Sequence, residues 1–201
     1  MHATAFPADL WVFGYGSLMW RPGFTFTEHR VATVRGYHRA LCVYSHFHRG
    51  TPEKPGLVLG LDRGGSCQGI AFRVPAAAAA DTIAYLRQRE QVTLVYRELI
   101  LPARLADGRH VLALCYVVDR RHQQYAGRLD RADLERLVRQ GYGASGANPE
   151  YVRNTHAHLA QLGIADATLE WLVRRFSDHP LTEQAQPRTE SLAPLPAVSS
   201  G

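Results

Sequence analysis

Glu90 ends a stretch, residues 76–91, in which Ala79, Ile83, Leu86 and Glu90 recur at i, i+4, i+7 and i+11. At about 100° per residue these positions share one helix face. The face is apolar except for Glu90. A carboxyl there is partly desolvated and lies near the negative end of the helix, and both effects raise its pKa. A raised carboxyl suits general acid–base work near neutral pH. The same side chain could instead pair with Arg87 or Arg89, or reach into solvent.

A second candidate is the string Gly14-Tyr15-Gly16-Ser17-Leu18, where a short apolar run stops at two glycines bracketing a tyrosine. Such a turn brings backbone N–H groups close to a ligand, where they can bind a carboxylate or a developing oxyanion. A plain β-turn needing positive φ explains the same string. It is neither a dinucleotide fingerprint nor a P-loop. Ser17 lacks the G-x-S-x-G elbow of a serine nucleophile. A third candidate is the polar segment 44–56, with His46, His48, Arg49 and Lys54 among two prolines and two glycines. Arg49 or Lys54 could meet a carboxylate. His46 and His48 could ligate a metal, but no further ligand follows at a suitable spacing. Cys42, Cys67 and Cys115 fall in apolar runs and read as small core residues.

The elements that must position these groups change character along the chain. Residues 10–15, 31–34 and 39–45 read as strands. Residues 57–61 and 67–74 flank Asp62-Arg-Gly-Gly-Ser66, which reads as a hairpin turn. A helix is expected over 76–91, then strands over 92–101 and 110–118 around Asp107-Gly108. The last third is helical: 129–140 stopped by Gly141, about 148–162 opened by a capping Asn148 with Pro149 and Glu150, and 166–176. Past Leu181 the composition turns to Pro, Ser, Ala, Gln and Thr, and a disordered tail over 182–201 is expected. Strands, one helix, strands and then helices imply an α+β fold with an antiparallel or mixed sheet, in a single domain over 1–181.

Bulk properties narrow the classes. The chain has 201 residues, is 46% hydrophobic and carries a formal charge of +5. Its arginines are scattered, so a small anionic ligand is expected and a nucleic-acid partner is not. No apolar run is long enough to span a membrane, and the N-terminus has no secretory pattern. Three widely spaced cysteines give no disulfide framework, which implies a reducing, cytoplasmic setting.

Three strings together carry a family resemblance. Trp11-Val-Phe-Gly-Tyr-Gly-Ser-Leu-Met-Trp20, His48-Arg-Gly-Thr-Pro-Glu-Lys-Pro-Gly56 and Tyr85-Leu-Arg-Gln-Arg-Glu90 resemble, in order and spacing, the ChaC family of glutathione-specific γ-glutamylcyclotransferases. Gly69-Ile-Ala-Phe-Arg73 and Ser145-Gly-Ala-Asn-Pro-Glu-Tyr151 also fit, so the resemblance spans about residues 10–176. It implies a small mixed β-barrel with packed helices, the γ-glutamylcyclotransferase-like fold, with no cofactor and no metal. It implies cleavage of the small molecule glutathione to 5-oxoproline and cysteinylglycine.

By match to the motifs, Glu90 takes the catalytic position, and Phe13, Gly14, Tyr15, Gly16, Ser17 and Leu18 take the position of the loop holding the γ-glutamyl group. Tyr116 and Tyr125 resemble the tyrosines that line the pocket across the wider superfamily. The loop carrying Arg49 is expected to meet the cysteinylglycine end. The chain departs from many relatives after the glutamate, where Gln91-Val-Thr-Leu-Val-Tyr96 replaces two glycines before a tyrosine. Two other readings stay open: a cyclotransferase for other γ-glutamyl amides, and a non-catalytic sensor of a small anion.

Overall fold

The structure is a computed structural model that describes residues 9–91 and 93–178. The tail expected past Leu181 lies outside the described residues. Five strands close a barrel: β1 (Leu10–Gly14), β2 (Glu28–Ser45), β3 (Gly56–Val74), β4 (Tyr96–Leu105) and β5 (His110–Val118). The order around it is β1-β3-β2-β4-β5. Neighbours are antiparallel except at the seam, where β5 meets β1 in parallel through Trp11↔Ala113 and Val12↔Leu114. Four helices pack on this frame: α1 (Ala79–Glu90), α2 (Arg131–Gln140), α3 (Asn148–Gln161) and α4 (Ala167–Asp178). A short ribbon, β6 (Tyr142–Gly143) with β7 (Gly146–Ala147), joins α2 to α3. The α+β class and mixed barrel are those expected.

Of three hydrophobic cores among the described residues, alternate residues of β1 serve two, as strand geometry requires. Phe13 packs with Val34, Leu61 and Leu105 in a core that continues into Leu159, Leu172 and Phe176 of the C-terminal helices. Val12 packs with Leu18, Val74, Leu86, Leu114 and Tyr116 in a second core. Leu86 is fully buried, so the apolar face of α1 lies on the barrel and fixes where the helix end carries Glu90.

The expected hairpin at residues 62–66 is overturned. Asp62-Arg-Gly-Gly-Ser66 lies inside one 19-residue strand paired along β2, with His38↔Asp62 and Arg35↔Ser66. The glycines serve a bend: Gly64 (φ 106°) and Gly65 (φ 67°) face Gly36 (φ 83°), where the register shifts between Arg35 and Tyr37. Such irregularities sharpen the coiling that long strands need to wrap a small barrel. The chain reverses instead between Ser45 and Gly56, in the basic, proline-bounded loop. The separate strands expected at 31–34 and 39–45 are correspondingly one strand, β2. The strand expected at 92–101 lies at Tyr96–Leu105, and Leu94 in the preceding link has φ 59°.

Two further readings change their reason. Asn148 was expected to cap α3, but its side chain makes no cap hydrogen bond. It accepts from Leu57 N–H at 2.7 Å and donates to Leu57 C=O at 2.8 Å. Gly141 ends α2 as expected, with an extended φ of −71° and no left-handed turn. Glycine is needed there for close approach, because a Cβ would fall 2.4 Å from the Arg49 carbonyl oxygen. Gly143 likewise meets the Phe47 carbonyl, at 2.3 Å from an added Cβ. The loop carrying His48 and Arg49 is thereby seated on the α2–α3 connection.

Candidate active site

A cavity of about 450 Å³ opens where the Gly16–Leu18 turn, the C-terminal end of α1, the β4–β5 wall, α3 and the basic loop converge. Its first wall is the turn. After β1 the chain enters a short 3-10 turn, Ser17–Met19, closed by Met19 N–H to Gly16 C=O at 2.9 Å. The opening amides of such a turn have no partner within it. Gly14 and Gly16 do not have positive φ, so the plain-turn explanation of the two glycines fails. A Cβ at Gly14 would press on Leu18 Cβ at 3.0 Å, whereas one at Gly16 would meet only Leu59 Cδ1 at 3.7 Å. Gly14 is thus a packing glycine and Gly16 an open one beside the cavity.

Glu90 stands at the second wall with its side chain 17% exposed. Burial raises its carboxyl above the ordinary range, and the Arg89 guanidinium, with Nε 3.2 Å from Oε1, opposes the rise. Arg87 does not compete for it, because it forks onto Glu98 at 2.8 and 2.9 Å. Arg89 also donates from Nη2 to Ser17 Oγ at 2.9 Å and from Nη1 to Arg21 C=O at 2.6 Å. The Ser17 hydroxyl is therefore engaged as an acceptor, consistent with its lack of a nucleophile elbow.

Tyrosines line the rest. Burial holds the phenols of Tyr15 and Tyr96 well above their usual range and raises that of Tyr151, so all three are neutral donors or acceptors. Tyr96 and Tyr151 converge on one backbone residue: Tyr96 OH donates to Leu59 C=O at 2.8 Å, and Leu59 N–H donates to Tyr151 OH at 3.2 Å. β1 pairs with β3 only over Ile70–Val74, so no β1 partner reaches Leu59, and the two hydroxyls satisfy its polar groups. Tyr116 is buried on β5 and donates to Glu98 Oε1 at 3.0 Å.

Basic groups also line the cavity. Arg49 Nη1 donates to Ala147 C=O at 3.2 Å, and its guanidinium lies over the Tyr151 ring at 5.4 Å. Among the described residues no carboxylate forms an ion pair with it. Burial lowers its pKa from the ordinary value, a shift that leaves a guanidinium charged. His48 Nδ1 lies 3.0 Å from Ser145 Oγ, and His158 stacks on Trp20 with ring centroids 4.4 Å apart. Both histidines border the cavity, as does Arg21.

Of the residues singled out from the sequence, Tyr15, Gly16, Ser17, Leu18, Arg49, Glu90 and Tyr116 border this cavity. Phe13 is fully buried in the barrel core, and Gly14 packs under the turn; neither reaches it. Tyr125 is also elsewhere: its hydroxyl donates to Asp62 at 2.9 Å, and its backbone bridges Val43. Lys54 is not on the wall, and His46 stacks on Tyr44. Among the described residues no cluster of three or more His, Cys, Asp or Glu has metal-holding geometry. Tyr96, Tyr151 and His158 were not singled out, and Arg89 was named only as a possible partner of Glu90, which it is. Arg89 and Tyr151 lay inside strings quoted for the resemblance, but nothing in local spacing shows that Tyr96 and Tyr151 meet at Leu59.

A closed mixed barrel with packed helices thus brings a buried carboxyl and a glycine-bounded turn to one cavity. A profile described as "ChaC-like protein" matches residues 10–178. The chain is 35% identical over 164 residues to the glutathione-specific γ-glutamylcyclotransferase of Escherichia coli (strain K12), covering 82% of this chain and 71% of that one. It is 35% identical over 150 residues to the human glutathione-specific γ-glutamylcyclotransferase 1, covering 73% and 68%. A solved yeast γ-glutamylcyclotransferase specific to glutathione superposes with a TM-score of 0.77 at 22% identity, over 85% of this chain and 96% of that one. The protein belongs to the ChaC-like family.

Proposed function

We propose that this protein is a lyase that cleaves glutathione to 5-oxoproline and cysteinylglycine, with Glu90 as the acid–base group. The observation that carries the reading is a carboxyl raised by burial, held beside the Ser17 turn, in a cavity also lined by Arg21, His48 and Arg49. The relatives named above share this activity by name.

The chemistry follows from the substrate. Its α-ammonium must lose a proton before the amine can attack the γ-carbonyl carbon. The Glu90 carboxylate takes that proton. The new C–N bond closes a five-membered lactam, and the bond to the cysteine nitrogen breaks. Glu90 returns that proton to the departing nitrogen and relays the second proton that the attacking nitrogen sheds on becoming the lactam N–H, so cysteinylglycine leaves as an ammonium and the carboxylate is restored. Attack within one molecule needs no enzyme nucleophile, and a folded glutamyl arm lowers the barrier by proximity. The Gly16–Leu18 amides bind the α-carboxylate or the developing oxyanion. Arg49 receives the terminal carboxylate of cysteinylglycine, a charge-assisted contact in a partly desolvated place. The three buried free cysteines support a reducing, cytoplasmic setting.

Incubation of the pure protein with glutathione and, separately, γ-glutamyl-alanine, with 5-oxoproline measured, tests this. Release from glutathione, abolished in Glu90→Gln, is expected. Activity on γ-glutamyl-alanine alone would move the substrate to other γ-glutamyl amides. Ligand binding without release from either would indicate a sensor.

A further inference from the structure

Arg89 reaches in two directions from the last turn of α1. Its Nη2 donates to Ser17 Oγ at 2.9 Å, and its Nη1 donates to Arg21 C=O at 2.6 Å and to Tyr85 OH at 3.0 Å. Its Nε sits 3.2 Å from Glu90 Oε1. The guanidinium therefore bonds both ends of the 17–21 segment while touching the neighbouring carboxylate. Only a planar fork reaches all of these groups at once. Its side chain is 23% exposed, so these bonds are partly shielded from water.

We infer that Arg89 is a positioning residue, which locks the substrate-holding turn to the helix end so that the glutamyl group and Glu90 are presented as one rigid unit. The inference rests on the reading of Glu90 as the proton shuttle. Precise placement matters because displacement of a reacting group by about 1 Å can cost on the order of 100-fold in rate. A second consequence is electrostatic. The groups that face Glu90 from the surrounding elements are the neutral phenols of Tyr15, Tyr96, Tyr116 and Tyr151, while Arg21, Arg49, His48 and His158 line the same cavity. Arg89 is the cation in contact with the carboxylate, and it keeps the base available against the burial that would protonate it.

The test combines titration of the Glu90 carboxyl by 13C NMR, in substrate-free protein, with kinetics. In Arg89→Gln the Glu90 titration is expected to move to higher pH. KM for the γ-glutamyl substrate that wild type turns over is expected to rise about ten-fold or more, the scale of lost charged hydrogen bonds. Arg89→Lys restores the titration, because the charge returns, but not KM, because an ammonium cannot span Ser17 and Arg21. Ser17→Ala raises KM and leaves the titration in place. A wild-type KM in folded Arg89→Gln overturns the proposal, and an unmoved Glu90 titration overturns its electrostatic part. Should that variant not fold, wild-type KM in both Arg89→Lys and Ser17→Ala overturns it. Wild type that releases no 5-oxoproline counts against the proposed function instead, while the titration still decides whether Arg89 controls Glu90.

Discussion

Asn148 and Leu57 exchange two hydrogen bonds: the Asn148 amide oxygen accepts from Leu57 N–H at 2.7 Å, and its nitrogen donates to Leu57 C=O at 2.8 Å. Both residues are fully buried. The pair ties the start of α3 to the start of β3, beside the loop that carries Arg49. Asn148→Ala leaves two buried backbone groups without partners, at about 2–4 kcal/mol of stability. Urea denaturation is expected to show this loss as a lower midpoint at unchanged slope.

The same asparagine shows what the sequence reveals and what it hides. Asn-Pro-Glu locates the helix start correctly, because Pro at the first turn and an acid beside it are local preferences. It does not reveal that the side chain turns to a strand some 90 residues earlier in the chain. The face of α1 that ends at Glu90 was legible for a related reason, since a 3.6-residue period is written locally. The barrel was legible only as a class. Its two long strands were hidden by glycines, Gly36 in β2 and Gly64 and Gly65 in β3, which look like breaks in isolation and act as a bend once the strands are paired. In the site, the Gly14–Leu18 turn and Arg49 carry recognisable chemistry. The tyrosine pair at Leu59 arises from the short reach of β1, a property of the closed barrel rather than of any segment.

Glu90→Gln separates catalysis from stability. The substitution removes the proposed base, and a fall of about 100- to 10,000-fold in kcat is expected. Stability is expected to move the other way. The folded-state pKa of Glu90 is raised, so the stability it contributes is present below the unfolded-state pKa and is lost as pH rises through the folded value. At pH 8 the ionised, desolvated carboxylate therefore costs stability that glutamine does not. Thermal melts should place Glu90→Gln at or above wild type at pH 8, with the difference shrinking toward pH 4. In wild type the acidic limb of kcat/KM should lie above the ordinary carboxylate range.

Tyr125→Phe tests the position that the resemblance suggested and the cavity does not include. Burial alone would raise the Asp62 carboxyl, but hydrogen bonds from Arg120 and Tyr125 hold it below its usual value. Losing the phenol is expected to cost about 1–3 kcal/mol of stability. kcat/KM for glutathione should stay within about two-fold of wild type, a change too small to reflect a lost substrate contact. A rise in KM of ten-fold or more without loss of stability would return Tyr125 to the site.

Arg49→Ala tests whether the leaving group is read by the basic loop. The guanidinium is held by Ala147 C=O and the Tyr151 ring, on a loop seated closely against Gly141 and Gly143. A preorganised cation loses little freedom on meeting a carboxylate, so the contact adds to binding in full measure. Cysteinylglycine ends in a carboxylate one residue further from the scissile bond than that of γ-glutamylcysteine. If Arg49 reads that distance, Arg49→Ala lowers kcat/KM for glutathione by about 10- to 100-fold, the scale of one charged hydrogen bond. The same change should affect γ-glutamylcysteine by less than about three-fold, so the preference between the two substrates collapses. Arg49→Lys keeps the charge but loses the fork, and an intermediate preference is expected. Parallel losses on both substrates would mean that Arg49 supports the cavity wall instead of reading the terminal carboxylate.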